Sequence, residues 1–172
     1  MTNTLQRLFR YKAWANDELL TALGTIGVDS PVTKLAIQAL SHTYVVDQIF
    51  AAHLRRRDHG YASANLVELP GLKGLSADIR AGDRAYVEYV SALDHDRLAE
   101  RIDFVFTDGT CGCMSREEML MHVIIHGTGH RGQVSALMQL NSVKPASDGF
   151  TTYLHLAEAT TRGRAVADRT MS

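Results

Sequence analysis

Three histidines spaced four residues apart, His122, His126 and His130, constrain what this chain can fold into. Residues 115–118 just ahead of them have the form of a capping box, which predicts that a helix begins there. Because four residues make about one helical turn, each histidine lies nearly above the previous one, and a neighbouring pair can bind one ion. His122 and His130 lie about 12 Å apart along the axis, so all three cannot share it.

A helical wheel at about 100° per residue indicates which pair of histidines faces inward. Relative to Val123, His130 falls at about −20°, His126 at about −60° and His122 at about −100°. The sequence therefore favours His126 and His130 as the inward pair. Two inward histidines in register favour metal binding over histidines that are only hydrogen-bonded in a core. The apolar residues of the inward stripe are Met119, Val123, Gly127, Val134, Leu137 and Met138.

Apolar residues at helical spacing predict three more long helices and a short one near the end. The elements lie over about 4–23, 31–56, 76–93, 115–140 and 150–159.

The connections between these helices differ in kind. Residues 58–75 form a long crossover between the second and third helices, and residues 101–114 predict a short β-ribbon before the fourth, with a turn at Asp108-Gly109. The pattern predicts an all-α fold, a four-helix bundle in one domain over residues 1–159. The tail over residues 160–172 has little to bury and is expected to fray.

A third ligand for the inward pair has to come from another helix. In the second helix both His42 and His53 fall within the apolar stripe, and periodicity does not choose between them. They lie about 16 Å apart along the helix, so at most one can be the ligand. Asp47, toward the flank of the same helix, is the carboxylate alternative.

The sequence pattern also shows polar residues within the first and third helices. Asn16 lies within the first helix, and the sequence leaves open whether its side chain is exposed. The third helix carries Arg80, Asp83, Arg84 and Glu88, which predict a solvated face.

Composition excludes several classes of function. The net charge is −1 with histidine neutral, and without a basic stripe we expect no nucleic-acid partner. The first ten residues lack the apolar core of a signal peptide, and no apolar run reaches the 18 or so residues of a membrane span. We therefore expect a cytoplasmic protein with no membrane partner. Cys111 and Cys113, two apart in a glycine-rich loop, cannot staple the fold, and their role stays open.

These motifs resemble those of a known family. The block His122-x3-His126-x3-His130 followed by Arg-Gly-Gln resembles the signature of the DinB/YfiT-like family of metal-dependent enzymes. Residues 40–47 resemble the family's second-helix motif, residues 11–16 its first helix, and Asp148-x4-Tyr153 its C-terminal segment. The similarity covers roughly residues 5–155.

The resemblance implies a four-helix bundle, often dimeric, that binds one divalent ion, commonly nickel or zinc, through three histidines. Those ligands correspond to His42, His126 and His130, so the resemblance selects His42 over His53. It also implies a thiol-dependent transferase or isomerase that uses a low-molecular-weight thiol. Asp47 or Gln133 is then expected to orient one of these ligand histidines without binding the ion itself.

Two functions of different classes follow from these features. The first is a metal-dependent enzyme that activates a thiol or a water for a small-molecule substrate, because three ligands leave a coordination position open. The alternative is a non-catalytic bundle, a stress-related binding protein in which the ion fixes the helices. A fourth side chain that closes the coordination sphere would favour the alternative.

Overall fold

The computed structural model describes residues 4–159, so the predicted tail over residues 160–172 lies outside the described part. Four long helices in this part form the predicted bundle, in which α2 packs against α5 and α3, and α1 packs against α3 and α5. None of the helices described combines the length and hydropathy needed to cross a bilayer. In chain order the elements are α1 (Thr4–Gly24), α2 (Pro31–Leu54), α3 (Leu72–Ser91), α4 (His95–Ala99), β1 (Arg101–Val105), β2 (Cys111–Ser115), α5 (Arg116–Leu140) and α6 (Phe150–Leu156).

The helix ends follow local side-chain chemistry. Helix α2 begins with Pro31 directly after Ser30, whose side chain accepts a hydrogen bond from the Val32 amide. Helix α5 begins with the predicted capping box, in which Ser115 and Glu118 each bond the other's backbone N–H. These bonds satisfy amide groups that no helical turn can satisfy, so they fix where both site-bearing helices begin.

Two elements differ from the sequence prediction. Helix α3 begins at Leu72, four residues earlier than expected, so the crossover is shorter at that end. Helix α4 was not predicted, because five residues are too few to show helical periodicity. Its start is fixed by Asp94, whose carboxylate accepts a hydrogen bond from the Arg97 amide at 2.8 Å.

The predicted ribbon is a two-stranded antiparallel hairpin that covers one side of the bundle. Ile102 and Phe104 of β1 are buried, and Phe104 pairs with Gly112 of β2. The Phe104 ring lies so close to Gly112 that a Cβ there would come within 2.5 Å of its Cζ atom. Glycine is therefore needed at this position because the ring occupies the space of a side chain.

The core of the bundle is divided by a polar layer. One apolar cluster includes Phe9, Phe50 and Met119, and another includes Leu23 and Met138. The layer that divides these clusters consists of buried polar side chains from four helices, namely Lys12, Asn16, Thr43, Asp47, Asp83 and Arg131. The sequence did not predict this layer. Asp83 is buried rather than part of a solvated face, and Asn16, whose exposure the sequence left open, is also buried.

Lys12 lies at the centre of this layer. Its Nζ donates to Oδ2 of Asp47 at 2.7 Å and to Oδ1 of Asp83 at 2.6 Å, and Asn16 donates to the other Asp83 oxygen at 2.8 Å. Burial acts to lower the pKa of Lys12, but the attraction of the two carboxylates outweighs it and raises that pKa. Lys12 is therefore a buried ammonium that joins α1, α2 and α3.

Candidate metal centre

Three histidines from two helices converge at one side of the bundle. His42 of α2 faces His126 and His130 of α5, with ring centroids 5.1 Å and 4.9 Å apart, and the two α5 rings are 4.6 Å apart. One ring nitrogen from each of the three lies within 4.8 Å of the other two. The structure thus brings together the three residues that the sequence analysis selected.

The position of α5 explains why these two of its histidines meet His42. Val123 and Val134 are fully buried, as the wheel predicts, and His126 and His130 lie half-buried beside that stripe. Gly127 is buried between them, where a Cβ would lie 3.5 Å from Cε of Lys12. That distance is an ordinary van der Waals contact, so a small side chain such as alanine would also fit between α5 and α1.

Two of the histidines are oriented by oxygen acceptors that contact their Nδ1 atoms. Nδ1 of His42 lies 3.1 Å from both the Ala64 carbonyl oxygen and Oδ1 of Asn65, and Nδ1 of His130 lies 3.0 Å from Oε1 of Gln133. Because these oxygens only accept, both Nδ1 atoms carry a proton, and in the neutral form of each ring the free lone pair is on Nε2. This is the arrangement by which proteins orient metal-binding histidines.

Only one of these acceptor residues was expected from the sequence. The family resemblance implied Gln133 as an orienting residue, and it lies one turn from His130 on the same helix. Ala64 and Asn65 were missed, since they lie in the crossover, whose course no periodicity describes. Their polar contact to His42 gives this long connection a role in the site.

His126 differs from the other two ligand candidates in having a buried ring nitrogen without a partner among the described residues. Its Nε2 lies 3.2 Å from Nε2 of His42, and its Nδ1 is buried without a hydrogen-bond partner among the described residues. Burial, reinforced by the nearby His130 and His42, lowers the pKa of His126 to about 4. The imidazole is therefore neutral at pH 7, which is the form that binds metal.

The donor set fits a divalent ion. Two nitrogens bound tetrahedrally at 2.0–2.1 Å lie about 3.3 Å from each other, close to the 3.2 Å found between His42 and His126. In residues 4–159 the group of His, Cys, Asp and Glu side chains able to share an ion consists of these three histidines. Three imidazoles without a fourth protein ligand leave a coordination position open.

The other candidates lie elsewhere. His53 contacts the rings of Phe104 at 4.9 Å and His59 at 5.2 Å, and it is not part of the three-histidine group. The His122 ring lies on the flank that the wheel predicts, stacked on that of His126 with centroids 5.4 Å apart and tilted against that of Phe50 at 4.6 Å.

Asp47 does not orient a ligand directly in this structure. Its Oδ2 accepts from Lys12, and its backbone carbonyl accepts from the Tyr86 hydroxyl at 2.6 Å. Burial raises the pKa of Asp47 to about 6 in spite of the neighbouring Lys12. Its contacts place it in the polar layer, at the junction of α1 and α2.

Arg131, next to His130 in sequence, points into the bundle. Its Nε donates to Oδ2 of Asp148 at 3.0 Å and one of its terminal nitrogens donates to Oδ1 of Asn16 at 3.3 Å. Asp148 also accepts from the Tyr11 hydroxyl at 2.7 Å. The residues that carried the sequence resemblance outside the histidines thus hold α1, α5 and the segment before α6 together.

Two cavities open beside the histidines. The first, about 240 Å³, includes His42 and His126 in its walls together with aromatic and aliphatic side chains, and we call it the aromatic cavity. The second, about 390 Å³, includes His42, His130, Asn65 and Gln133, and we call it the polar cavity. Both cavities share His42, so the open side of the three-histidine group is accessible from two directions.

Three histidines converge beside open cavities in this helical bundle. The fold and the site therefore fit the class of metal-binding helical bundles. The sequence model of the DinB family matches residues 1–164, and the chain belongs to this family. Its fold is similar to that of a DinB-like protein from Bacillus cereus ATCC 10987, with a TM-score of 0.56 and 17% identity, over 86% of this chain and 99% of that one. No curated protein matches the chain significantly.

Proposed function

We propose that this chain is a divalent-metal-dependent enzyme in which His42, His126 and His130 hold one ion. The observation that carries the proposal is the convergence of three half-buried imidazoles whose ring nitrogens lie within 4.8 Å of one another. Two of the rings already donate their other N–H to an oxygen, so little reorganisation is needed for their Nε2 atoms to bind.

The open position favours catalysis over a purely structural ion. Structural zinc sites are closed by four protein ligands, whereas catalytic sites have three and keep a place for water or substrate. Imidazole donors suit nickel and zinc, which are the metals we propose. A divalent ion in such a site lowers the pKa of a coordinated water or thiol, which generates a nucleophile near neutral pH.

The chain's own residues give the proposed reaction its setting. His42 is hydrogen-bonded to the Ala64 carbonyl and to Asn65, and His130 to Gln133, so these bonds orient two of the three rings that would hold the ion. The two cavities provide space for two small reactants that meet at the histidines. This supports a transferase or isomerase that uses a low-molecular-weight thiol and a small-molecule substrate.

Metal analysis of purified protein is the first test. Wild-type protein should hold about one nickel or zinc ion per chain, and His42→Ala, His126→Ala and His130→Ala should each lose most of it. His53→Ala and His122→Ala are matched controls that remove an imidazole from the same two helices, and they should keep the metal. Full occupancy in all three ligand variants would refute the site.

A thiol-transfer screen of the metal-loaded protein then separates catalysis from binding alone. Loaded wild-type protein should consume a thiol in the presence of an electrophilic small molecule faster than the His126→Ala variant does. A protein that holds the ion firmly yet shows no difference in such a screen would instead support the non-catalytic bundle.

A further inference from the structure

The aromatic cavity has walls of a different chemistry from the rest of the site. Phe50, Phe104 and Phe106 contribute rings, and Ile49 and Met114 contribute aliphatic surface. Phe104 and Phe106 meet edge to face, with centroids 4.8 Å apart, and Phe50 and Phe104 are 6.2 Å apart. No lysine, arginine, aspartate or glutamate is among its described lining residues.

Two further histidines, His53 and His122, lie in these walls. Their rings contact aromatic side chains, His53 against Phe104 and His122 against Phe50. Burial lowers the pKa of His53, with a smaller contribution from His59, so this ring contributes aromatic surface more than charge. Nε2 of His53 is buried without a hydrogen-bond partner among the described residues, so the far end of the cavity holds one unused polar atom.

The volume limits what can fit. An apolar cavity of about 150 Å³ is known to hold one benzene molecule, and the aromatic cavity measures about 240 Å³. It therefore has room for one ring with a short substituent. Because an apolar cavity holds water poorly, an apolar group gains more from entering it than a polar group does.

The polar cavity provides the contrast. It is larger, at about 390 Å³, and the side-chain amides of Gln38, Asn65 and Gln133 line it together with Leu35, Ala39 and Leu137. Since His42 belongs to both cavities while His126 lines only the aromatic one and His130 only the polar one, a molecule bound at the histidines has an apolar side and a polar side available.

We propose that the aromatic cavity binds the aryl or similarly sized apolar group of a substrate whose reacting polar atom lies at His42, His126 and His130. This inference rests on the proposed function and adds the class of substrate to it. The polar cavity is left for water or for the hydrophilic part of a second reactant. Phe106, at the exposed edge of the ribbon, is the residue that determines this selectivity.

Nuclear magnetic resonance of methyl-labelled methionines tests the inference. Met114 lines the cavity, whereas Met138 is fully buried in the other apolar cluster and serves as an internal control. Benzyl mercaptan should shift the Met114 methyl signal strongly and leave that of Met138 unchanged. In zinc-loaded protein it should bind about tenfold or more tightly than 2-mercaptoethanol, because the ring leaves water.

A pair of ribbon variants checks where the ring binds. Phe106→Ala should reduce the preference for benzyl mercaptan about threefold to tenfold, since it removes one aromatic contact. Val105→Ala is the matched control, because Val105 is also an exposed apolar residue of the ribbon but does not line the cavity. A loss of preference in Leu137→Ala but not in Phe106→Ala would place the ring in the polar cavity and overturn the inference.

The same titration without zinc separates the two proposals. A Met114 shift that is unaffected by zinc would support the apolar cavity while contradicting the metal centre. Zinc-dependent thiol binding that leaves Met114 unshifted and shows no preference for the aryl thiol would contradict the cavity while supporting the metal centre.

Discussion

Nε2 of His42 lies 3.2 Å from Nε2 of His126, although the two residues are 84 positions apart in the chain. His42 carries its proton on Nδ1, so in the metal-free protein its Nε2 can accept a hydrogen bond from Nε2–H of His126. The same two nitrogens have the separation expected of ligands to one ion. An ion bound by both histidines would replace one imidazole–imidazole hydrogen bond with two bonds to metal.

The first prediction is that metal stabilises the folded protein. Zinc at a free concentration of about 100 times its Kd should add about 2.7 kcal/mol at pH 7.5 and raise the Tm by roughly 5–11 °C. The gain should shrink at pH 5, where protons compete for the imidazoles, and vanish in His126→Ala. Thermal unfolding with and without zinc measures it, and an equal gain at both pH values would contradict the three-histidine site.

The second prediction concerns the metal-free protein and follows from the lowered pKa of His126. The folded pKa is about 4 and the ordinary value is about 6.5, so between these values the unfolded chain binds a proton that the folded chain does not. His126 therefore lowers the free energy of unfolding as the pH falls from about 6.5 to 4. Urea unfolding at pH 7, 5 and 4 should show a smaller loss in His126→Gln than in wild type. An identical pH dependence in both proteins would count against a buried neutral His126.

Much of the architecture could be predicted because each long helix carries its own local signals. The capping box at Ser115 and the proline after Ser30 mark where α5 and α2 begin, and helical periodicity orients Val123 and Val134 toward the core. With α2 and α5 oriented, the histidines of one helix are limited to a few partners on the other. The family resemblance then selected His42, which periodicity alone could not distinguish from His53.

The buried polar layer escaped prediction for a physical reason. Asn16 and Asp83 are polar residues within helices, and the local sequence pattern does not distinguish a buried polar residue from an exposed one. Their burial depends on Lys12 and Arg131 arriving from other helices with complementary charge. The contact of His42 with Asn65 is likewise a property of the folded crossover rather than of any sequence period.

The third prediction concerns assembly. The family resemblance implies a homodimer, and we expect sedimentation at micromolar concentration to give twice the mass of one chain. Ile125 of α5 is 65% exposed and lies on the side of the helix away from the core, and Leu140, on the flank of the same helix, is 83% exposed. If this side forms the interface, Ile125→Lys should give monomers, whereas Val28→Lys, at an exposed position between α1 and α2, should not. A wild-type monomer would contradict the prediction.

The fourth prediction concerns the contact between the ribbon and the bundle. Gly112→Ala places a Cβ within 2.5 Å of the Phe104 ring, so the ring or the strand has to move, and we expect a loss of about 1–3 kcal/mol in the free energy of unfolding. Gly74→Ala is the control, because a Cβ there meets nothing within 4 Å and alanine favours the helix. Urea unfolding should show a loss for the first variant and an unchanged or higher stability for the second.

The last prediction tests the buried ammonium at the centre of the polar layer. Lys12→Met keeps most of the side-chain volume but leaves Asp47 and Asp83 buried without their cation, so the free energy of unfolding should fall by about 3–5 kcal/mol. Lys73→Met makes the same change at an exposed position of α3 and should alter it by less than about 0.5 kcal/mol. Lys12 lowers the pKa of Asp47, which burial holds at about 6 in wild type, so the pKa of Asp47 should lie above 6 in Lys12→Met. The deficit should therefore shrink as the pH falls from 9 to 6, where the folded variant binds a proton that wild type does not. A deficit that stays constant over that range would show that Asp47 is not charged in the variant.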